Sequence, residues 1–432
     1  IIFNGEIYNF EEIRAQLPQI EWRGASDTEV MLHAIDIMGL EKSLQIFNGM
    51  FAFALWDNVE ECLTLARDKF GEKPLYYGVI NSHFVFSSEI TCIEAEFGDY
   101  LSINREAIAK QAAVSYIPAP LSVYNEINKL MPGSFVQYKS NRLTEVQSYW
   151  SLADVINKSR KEQFKNEVEA VDCLHGNLKT AVKLRMASDV PLGAFLSGGV
   201  DSSLVVSLMQ SQSDKPINTF SIGFDVPGYN EAEFAKQVAN HLGTNHHEKY
   251  FSPADVLNVV PRLGAMFDEP FSDASQMPTY LVSAMAKEKV TVALSGDGGD
   301  ELFSGYNRYT ATPAIWNKIE KFPARNIMAG TINKLPNSLL NTLFFFLTNK
   351  AASFGRQGKI GPKLKTLASW LGANSIEDFY KQSITHWKAN DALVFGSSEY
   401  DLLDFLSTDE VSIEEFGEWM MYLDSMTYLS GD

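Results

Sequence analysis

The sequence predicts an α/β protein in two parts, and three observations carry that expectation. Up to about Ser148 the chain is rich in short strands with alternating apolar positions. From about residue 165 the rhythm changes to strand, helix, strand, the mark of a parallel sheet covered by helices. Two of those later strands run directly into glycine-rich acidic loops, where open parallel sheets bind ligands.

Taken in order, Ile1, Ile2 and Phe3 read as a strand, and helices follow at about 10–17 and 28–38. Ser26-Asp27 opens the second helix as its cap. In the segment MFAFALWD, Phe51, Phe53 and Leu55 alternate with other residues until Asp57-Asn58 turns the chain. Residues 62–67 and 75–87 continue the pattern, with Asn81-Ser82 as the hairpin turn. The stretch 100–150 joins the two parts through Ile117-Pro118-Ala119-Pro120 and Met131-Pro132-Gly133, stiff connections that suit a fixed orientation. Beyond it, strands at 191–196, 217–224 and 290–294 alternate with helices at 201–211, 231–242 and 277–288. Residues after about 310 read as mainly helical.

A chain of 432 residues exceeds what one core usually organises, so two domains are expected, at 1–148 and 149–432. The net charge of -18 repels phosphate backbones and argues against a nucleic-acid partner. The basic cluster Lys158, Arg160, Lys161 and Lys165 reads as a solvated face. Cys62, Cys92 and Cys173 form no CxxC, so neither a zinc site nor a disulfide framework is suggested. Cys62 and Cys173 are expected in the core, and a reducing, cytoplasmic compartment fits. No run reaches a membrane span, and Phe344–Phe346 reads as helix packing. His246-His247 face opposite ways on a strand, which disfavours a shared metal.

The strongest chemical signal is Ser197-Gly198-Gly199-Val200-Asp201-Ser202-Ser203, between an apolar strand and a helix. Paired glycines let backbone approach a phosphate, and the N–H groups of a helix start point at the anion. Asp201 beside phosphate makes sense with a divalent cation between them. No GK[ST] follows, so the loop is not a Walker A. Ser295-Gly296-Asp297-Gly298-Gly299-Asp300-Glu301 repeats the logic after the strand 290–294. Asp201 and Asp300 could clamp one magnesium from two neighbouring strand ends.

These motifs carry a resemblance. SGGVDSS looks like the pyrophosphate loop of N-type ATP pyrophosphatases, and LSGDGGDELFSGY is similar to the second nucleotide loop of the asparagine-synthetase family. The resemblance implies that ATP is cut between its α and β phosphates to give an acyl-adenylate. It assigns pyrophosphate and Mg2+ to Ser197, Gly198, Gly199, Asp201 and Ser202, and metal also to Asp300. Phe195, Ile222, Ser295 and Gly296 would line the nucleotide pocket, with Phe220–Phe224 (FSIGF) supporting adenine.

Upstream, Asn4-Gly5-Glu6-Ile7-Tyr8-Asn9 and Ser26-Asp27-Thr28-Glu29 resemble the NGEIYN and SDTE motifs of the same family's glutaminase domain, an αββα fold with an N-terminal nucleophile. By that likeness the Asn4 amide and Gly5 N–H form an oxyanion hole. Asp27 binds the glutamine ammonium, and Glu6 helps fix the substrate. The family's cysteine nucleophile and carboxylate-holding arginine are expected before Ile1, since none of the three cysteines stands near position 1. A family lysine beside the adenylate is expected after Asp432, so the chain reads as a fragment. Asp297 stands where the best-known asparagine synthetases carry glutamate that serves adenylate formation, which opens the identity of the acceptor.

The resulting expectation is amidation of aspartate with glutamine and ATP, an enclosed ammonia route crossing an apolar interface, and a homodimer left open. Rival readings are the same mechanism on another carboxylate such as a sugar uronate, a tRNA-thiolating pyrophosphatase, and a non-enzymatic scaffold. The charge and the missing CxxC weigh against the thiolating enzyme, and the intact Asp201 and Asp300 against the scaffold.

Overall fold

Nine strands build the first 148 residues, in two antiparallel sheets. β1 (Ile2–Ile7), β2 (Gly49–Asp57), β3 (Cys62–Arg67), β7 (Ser134–Lys139) and β8 (Arg142–Leu143) lie in that order, and β9 (Gln147–Ser148) also pairs with β7. The second sheet runs β5 (His83–Ser87), β4 (Tyr76–Ile80), β6 (Ile127–Lys129). The expected hairpin is present: Asn81 and Ser82 have φ of 47° and 66°, and β4 pairs with β5 around them. The structure, a computed structural model, describes residues 1–224, 230–348, 360–387, 393–397, 411 and 413–431. The side chains of 343–348 and 360 are outside it, so the expectation for Phe344–Phe346 falls outside the described residues.

Alternation in β2 sorts the two cores. Phe51 and Phe53 point at α1 (Phe10–Gln16), α2 (Asp27–Met38) and α3 (Leu40–Ile46), where Ile13, Val30, Met31 and Leu44 are buried. Ala52 and Ala54 face the other way and meet Tyr77 of the second sheet with Leu75 and Leu130, which flank its strands. Small residues on one face allow two sheets to pack, and large ones on the other fill the helix layer. The second sheet's far face carries α4 (Ile90–Phe97) and α5 (Arg105–Val114), through Ile90, Ile93 and Ala107. The layering is therefore helix, sheet, sheet, helix, as expected.

α6 (Leu152–Ser159) and α7 (Glu167–Met186) lead into the parallel sheet. Its strands are β10 (Leu192–Phe195), β11 (Asn218–Phe224), β12 (Asn245–Phe251) and β13 (Val292–Leu294), ordered β12-β11-β10-β13 and all parallel. α8 (Val200–Gln210) and α9 (Ala232–Leu242) cover one face with Val206, Met209, Ala235 and Ala239. After α10 (Pro253–Leu257) and α11 (Leu263–Met266), α12 (Gln276–Ala286) covers the other through Ala286 against Phe220. α13 (Gly299–Phe303), α14 (Asn307–Glu320), α15 (Arg325–Lys334), α16 (Asn337–Thr348), α17 (Ile360–Leu371), α18 (Ile376–Ile384), α19 (Phe416–Met426) and α20 (Tyr428–Gly431) form the helical remainder.

One expectation needs correction. Cys62 is buried, but Cys173 is exposed. α7 meets the core only through Leu178, Val182 and Met186 in its second half, and the turns around Cys173 stay exposed. The basic cluster is exposed apart from half-buried Arg160, which pairs with Glu418. No helix among the described residues is long and apolar enough to cross a membrane.

Candidate active site

β10 ends at Phe195, and its continuation folds back so that α8 starts at once. Ser197 Oγ lies 2.9 Å from Ser202 Oγ, the Ser197 N–H donates to Ser202 Oγ, and the Gly199 N–H donates to Ser197 Oγ. Gly198 takes φ of +84°, and a Cβ there would fall 2.6 Å from Ala235 N and 2.7 Å from Phe234 Cβ. Both the conformation and the approach of α9 therefore require glycine. Phe195 packs beside Phe220 and Val290, and Ile222 stands two residues past the Phe195–Phe220 pair.

The second loop leaves β13 and meets the first. A Cβ on Gly296 would lie 2.9 Å from Ser202 N, and one on Gly299 2.7 Å from Asp201 Cγ. Asp201 thus sits on bare backbone of the Ser295–Glu301 loop. Ser295 Oγ donates to Asp297 Oδ2 at 2.7 Å. Burial pushes the Asp201 carboxyl above the usual aspartate range, and the charge of Asp300 pushes it further. An Asp201 carboxylate whose ionisation is made costly by burial and by a neighbouring negative charge fits a divalent cation. No group of three or more His, Cys, Asp or Glu gathers among the described residues. A magnesium held here would draw on two carboxylates plus substrate phosphate oxygens, its usual ligand set. Glu301, a neighbour in this loop, is buried and accepts from Tyr306 OH at 2.8 Å.

In the first half, Asn4, Gly5 and Glu6 lie on β1 against β2. Asn4 is exposed, and its Nδ2 donates to Ser88 Oγ at 3.2 Å. A Cβ on Gly5 would stand 2.0 Å from Met50 O, so only glycine fits the pairing. Asp27 ties α2 to β1: Oδ2 accepts the Ile7 N–H at 2.9 Å and Oδ1 the Thr28 N–H at 2.6 Å. Ser26 caps the helix by accepting from Glu29 N, and Glu29 accepts the N–H groups of Arg23 and Gly24. Burial raises the Glu6 carboxyl, and the charges of Asp27 and Asp189 add to it. The motif residues Glu6 and Asp27 are thus gathered in one place.

Sequence reasoning missed what lies opposite. Arg185, at the end of α7, stacks over the Tyr8 ring at 4.6 Å, and burial pushes the Tyr8 hydroxyl up to about 12. It also missed Asp68, whose carboxylate accepts the N–H groups of Phe51, Phe70, Glu72 and Lys73, and buried Arg67, which donates to the carbonyls of Lys73, Leu130 and Gly71. An Arg-Asp pair before a Gly-containing loop was the available signal. The interface expected to be apolar also carries buried charge: a cavity of about 280 Å³ between the halves is lined by Arg67, Glu72, Lys129, Asp268 and Glu269 alongside Leu75, Ile117, Phe267 and Phe271. Buried backbone donors at Ile90 and Val123 need acceptors, and carboxylates supply them. His246 and His247 each keep separate partners, Thr219 and Ser221 for one and Asn218 for the other, as opposed faces require.

The profile described as "Asparagine synthase" matches residues 174–432, and the one described as "Glutamine amidotransferase domain" matches 1–150. The chain belongs to the asparagine synthase family. Among its relatives, a putative asparagine synthetase [glutamine-hydrolyzing] 2 of Methanocaldococcus jannaschii is 39% identical, covering 71% of this chain and 58% of that protein. Asparagine synthetase [glutamine-hydrolyzing] 1 of Bacillus subtilis is 36% identical over 75% of this chain and 50% of its own. A Penicillium rubens protein named amidase chyE is 29% identical over 72% and 48%. The chain spans about half the length of the relatives it matches.

Proposed function

We propose that residues 1–148 and 149–432 are the two domains of a glutamine-dependent ligase that forms AMP and pyrophosphate while amidating a carboxylate, with aspartate as acceptor. The observation that carries this reading is the contact of the two glycine-rich loops, which leaves the Asp201 carboxylate on bare backbone within reach of the Asp300 charge. Named relatives from an archaeon and a bacterium support the choice of glutamine and aspartate. The same reading places the protein in the cytoplasm, with a homodimer left open.

In the first domain, Asn4 Nδ2 and the Gly5 N–H receive the oxygen of the glutamine amide as it becomes an oxyanion. Asp27, fixed by two backbone donors and the Thr28 hydroxyl, keeps about one acceptor site for the glutamine ammonium, since a carboxylate accepts about four hydrogen bonds. Glu6 orients the substrate beside it. In the second domain, Ser197, Gly198, Gly199 and Ser202 present hydroxyls and N–H groups to the β and γ phosphates at the start of α8. Phe195, Ile222, Ser295 and Gly296 wall the nucleotide, and Asp297 faces the activated carboxylate. Asp201 and Asp300 would hold Mg2+, which supplies charge neutralisation at the phosphates.

A second reading keeps this chemistry and changes the acceptor to another carboxylate, such as a sugar uronate. Asp297 favours it, because its shorter side chain is already bonded to Ser295, and the relative named as an amidase belongs to the same set. The test is product analysis of the full-length protein with glutamine, ATP and aspartate. AMP, pyrophosphate and asparagine are expected. ADP and phosphate would refute the mechanism, and pyrophosphate release only with a different carboxylate would select the second reading.

A further inference from the structure

The segment Asp268–Asp273 leaves the second half and grips the first at three places. Asp268 Oδ2 accepts the Ile90 N–H at 2.5 Å, at the start of α4, and Thr91 Oγ1 donates to Oδ1. Glu269 Oε2 lies 2.5 Å from Lys129 Nζ on β6, and its Oε1 accepts the Val123 N–H at 2.7 Å. Ser272 N donates to the Ser115 carbonyl, and Gln111 Nε2 donates to Ser272 Oγ. Lys129 and Glu269 side chains are only 13% and 10% exposed, and Lys129 also donates to the Ile117 carbonyl. At its far end the segment reaches the nucleotide side: Asp273 Oδ2 accepts from Tyr428 OH, and Leu429 next to it stands 3.6 Å from where a Gly298 Cβ would be.

We propose that Asp268–Asp273 is a strap coupling the two active sites, with the buried Lys129–Glu269 ion pair as its fastening on the glutamine side. This rests on the ligase reading above. The strap touches neither glycine-rich loop by its charges, so its residues position the halves and do no chemistry. A shift of the Ser295–Glu301 loop moves Leu429 and Tyr428, which pull on Asp273; the ion pair passes that displacement to β6 and to the cavity wall formed by Lys129 and Glu269. Burial lowers the Lys129 ammonium, and the Glu269 carboxylate against it opposes that shift. A buried pair broken on one side leaves an uncompensated charge, and the strap then lets go instead of relaxing.

The experiment compares full-length wild type with Glu269→Gln and with the double variant Lys129→Met/Glu269→Gln. The double variant removes both charges while Gln keeps an acceptor for the Val123 N–H, so it guards against simple misfolding. Three rates are measured: glutamate formed, AMP formed with glutamine, and AMP formed with ammonium chloride as donor. Both variants are expected to keep glutamine hydrolysis and ammonia-driven AMP formation, while glutamate released per AMP rises about fivefold or more, the low end of a typical coupling. A wild-type ratio in the double variant, or equal loss of AMP formation with both donors, would overturn the strap. Should wild type form no AMP with either donor, the ligase reading fails separately. Calorimetry then decides the strap: it requires one unfolding transition in wild type and two in the double variant, and unchanged single transitions refute it.

Discussion

Asp27 and Asp201 both stand in the first turn of a helix, and the two halves of the molecule treat them differently. Asp27 is fastened by two backbone N–H groups and closes the gap between α2 and β1. Asp201 takes no hydrogen bond from any described residue and lies against backbone with the Asp300 charge nearby. The first carboxylate is preorganised by the protein, and on the proposed reading it would serve fold and substrate together. The second is held in an unfavourable electrostatic setting that only a cation or a proton relieves. On the proposed reading, one half would orient a substrate with finished hydrogen bonds, while the other would keep its charge for a charged ligand.

The largest break in this comparison comes from Asp201→Asn. Losing one carboxylate of the pair removes charge stabilisation worth several kcal/mol, so AMP formation falls about a thousandfold or more. Glutamine hydrolysis persists, because Asn4, Gly5 and Asp27 lie on separate elements. Equal loss of both activities would show that the halves do not divide the chemistry. Gly198→Ala tests the same half through geometry. Its Cβ meets the backbone N of Ala235 and the Cβ of Phe234, neither of which can swing away. The Ser197–Ser203 loop must shift, and a displacement of about 1 Å costs about a hundredfold in rate. AMP formation should fall by that amount with ammonia or glutamine as donor.

Asp27→Ala probes the fastened carboxylate. The Ile7 and Thr28 donors lose their partner, which costs about 1–3 kcal/mol of stability. The KM for glutamine should rise while AMP formation from ammonia is retained. Unchanged thermal stability would show that water replaces the carboxylate at both donors.

Much of this was legible in the sequence, and the illegible part has a common cause. The strands at 191–196, 217–224 and 290–294 were readable to within two residues of β10, β11 and β13, since buried parallel strands are short apolar runs ended by glycine. The two loops were readable as strand-to-helix turns, because paired glycines follow directly on short apolar runs. The Phe51/Ala52 alternation gave β2 but not its consequence, that a second sheet packs on the alanine face. What stayed hidden depends on contacts distant in the chain. Glu269 meets Lys129 and Arg185 meets Tyr8 only after the halves dock, and neither pair has a local spacing that announces it. Cys173 shows the opposite failure, in which the early turns of a locally apolar helix stay exposed while only Leu178, Val182 and Met186 further along reach the core.

The smallest effect sharpens the comparison most, because it separates stability from activity. The folded-state Asp201 carboxyl is raised above its unfolded value by burial and then by Asp300. Below the unfolded value both states carry the proton, and the group favours neither. As pH rises, the unfolded chain releases its proton first, so stability is lost until the folded pKa is passed and stays lost above it. Asparagine cannot ionise and escapes that loss. Asp201→Asn should therefore be slightly more stable than wild type at neutral pH, by about a degree in Tm, with the gap closing below the usual aspartate range. Partial exposure of the group keeps the gain small through solvent screening. The check is a pair of thermal melts without added magnesium or nucleotide, one at neutral pH and one in acid. A variant less stable than wild type at neutral pH would show that the Asp201 carboxylate, like Asp27, is fastened by the fold.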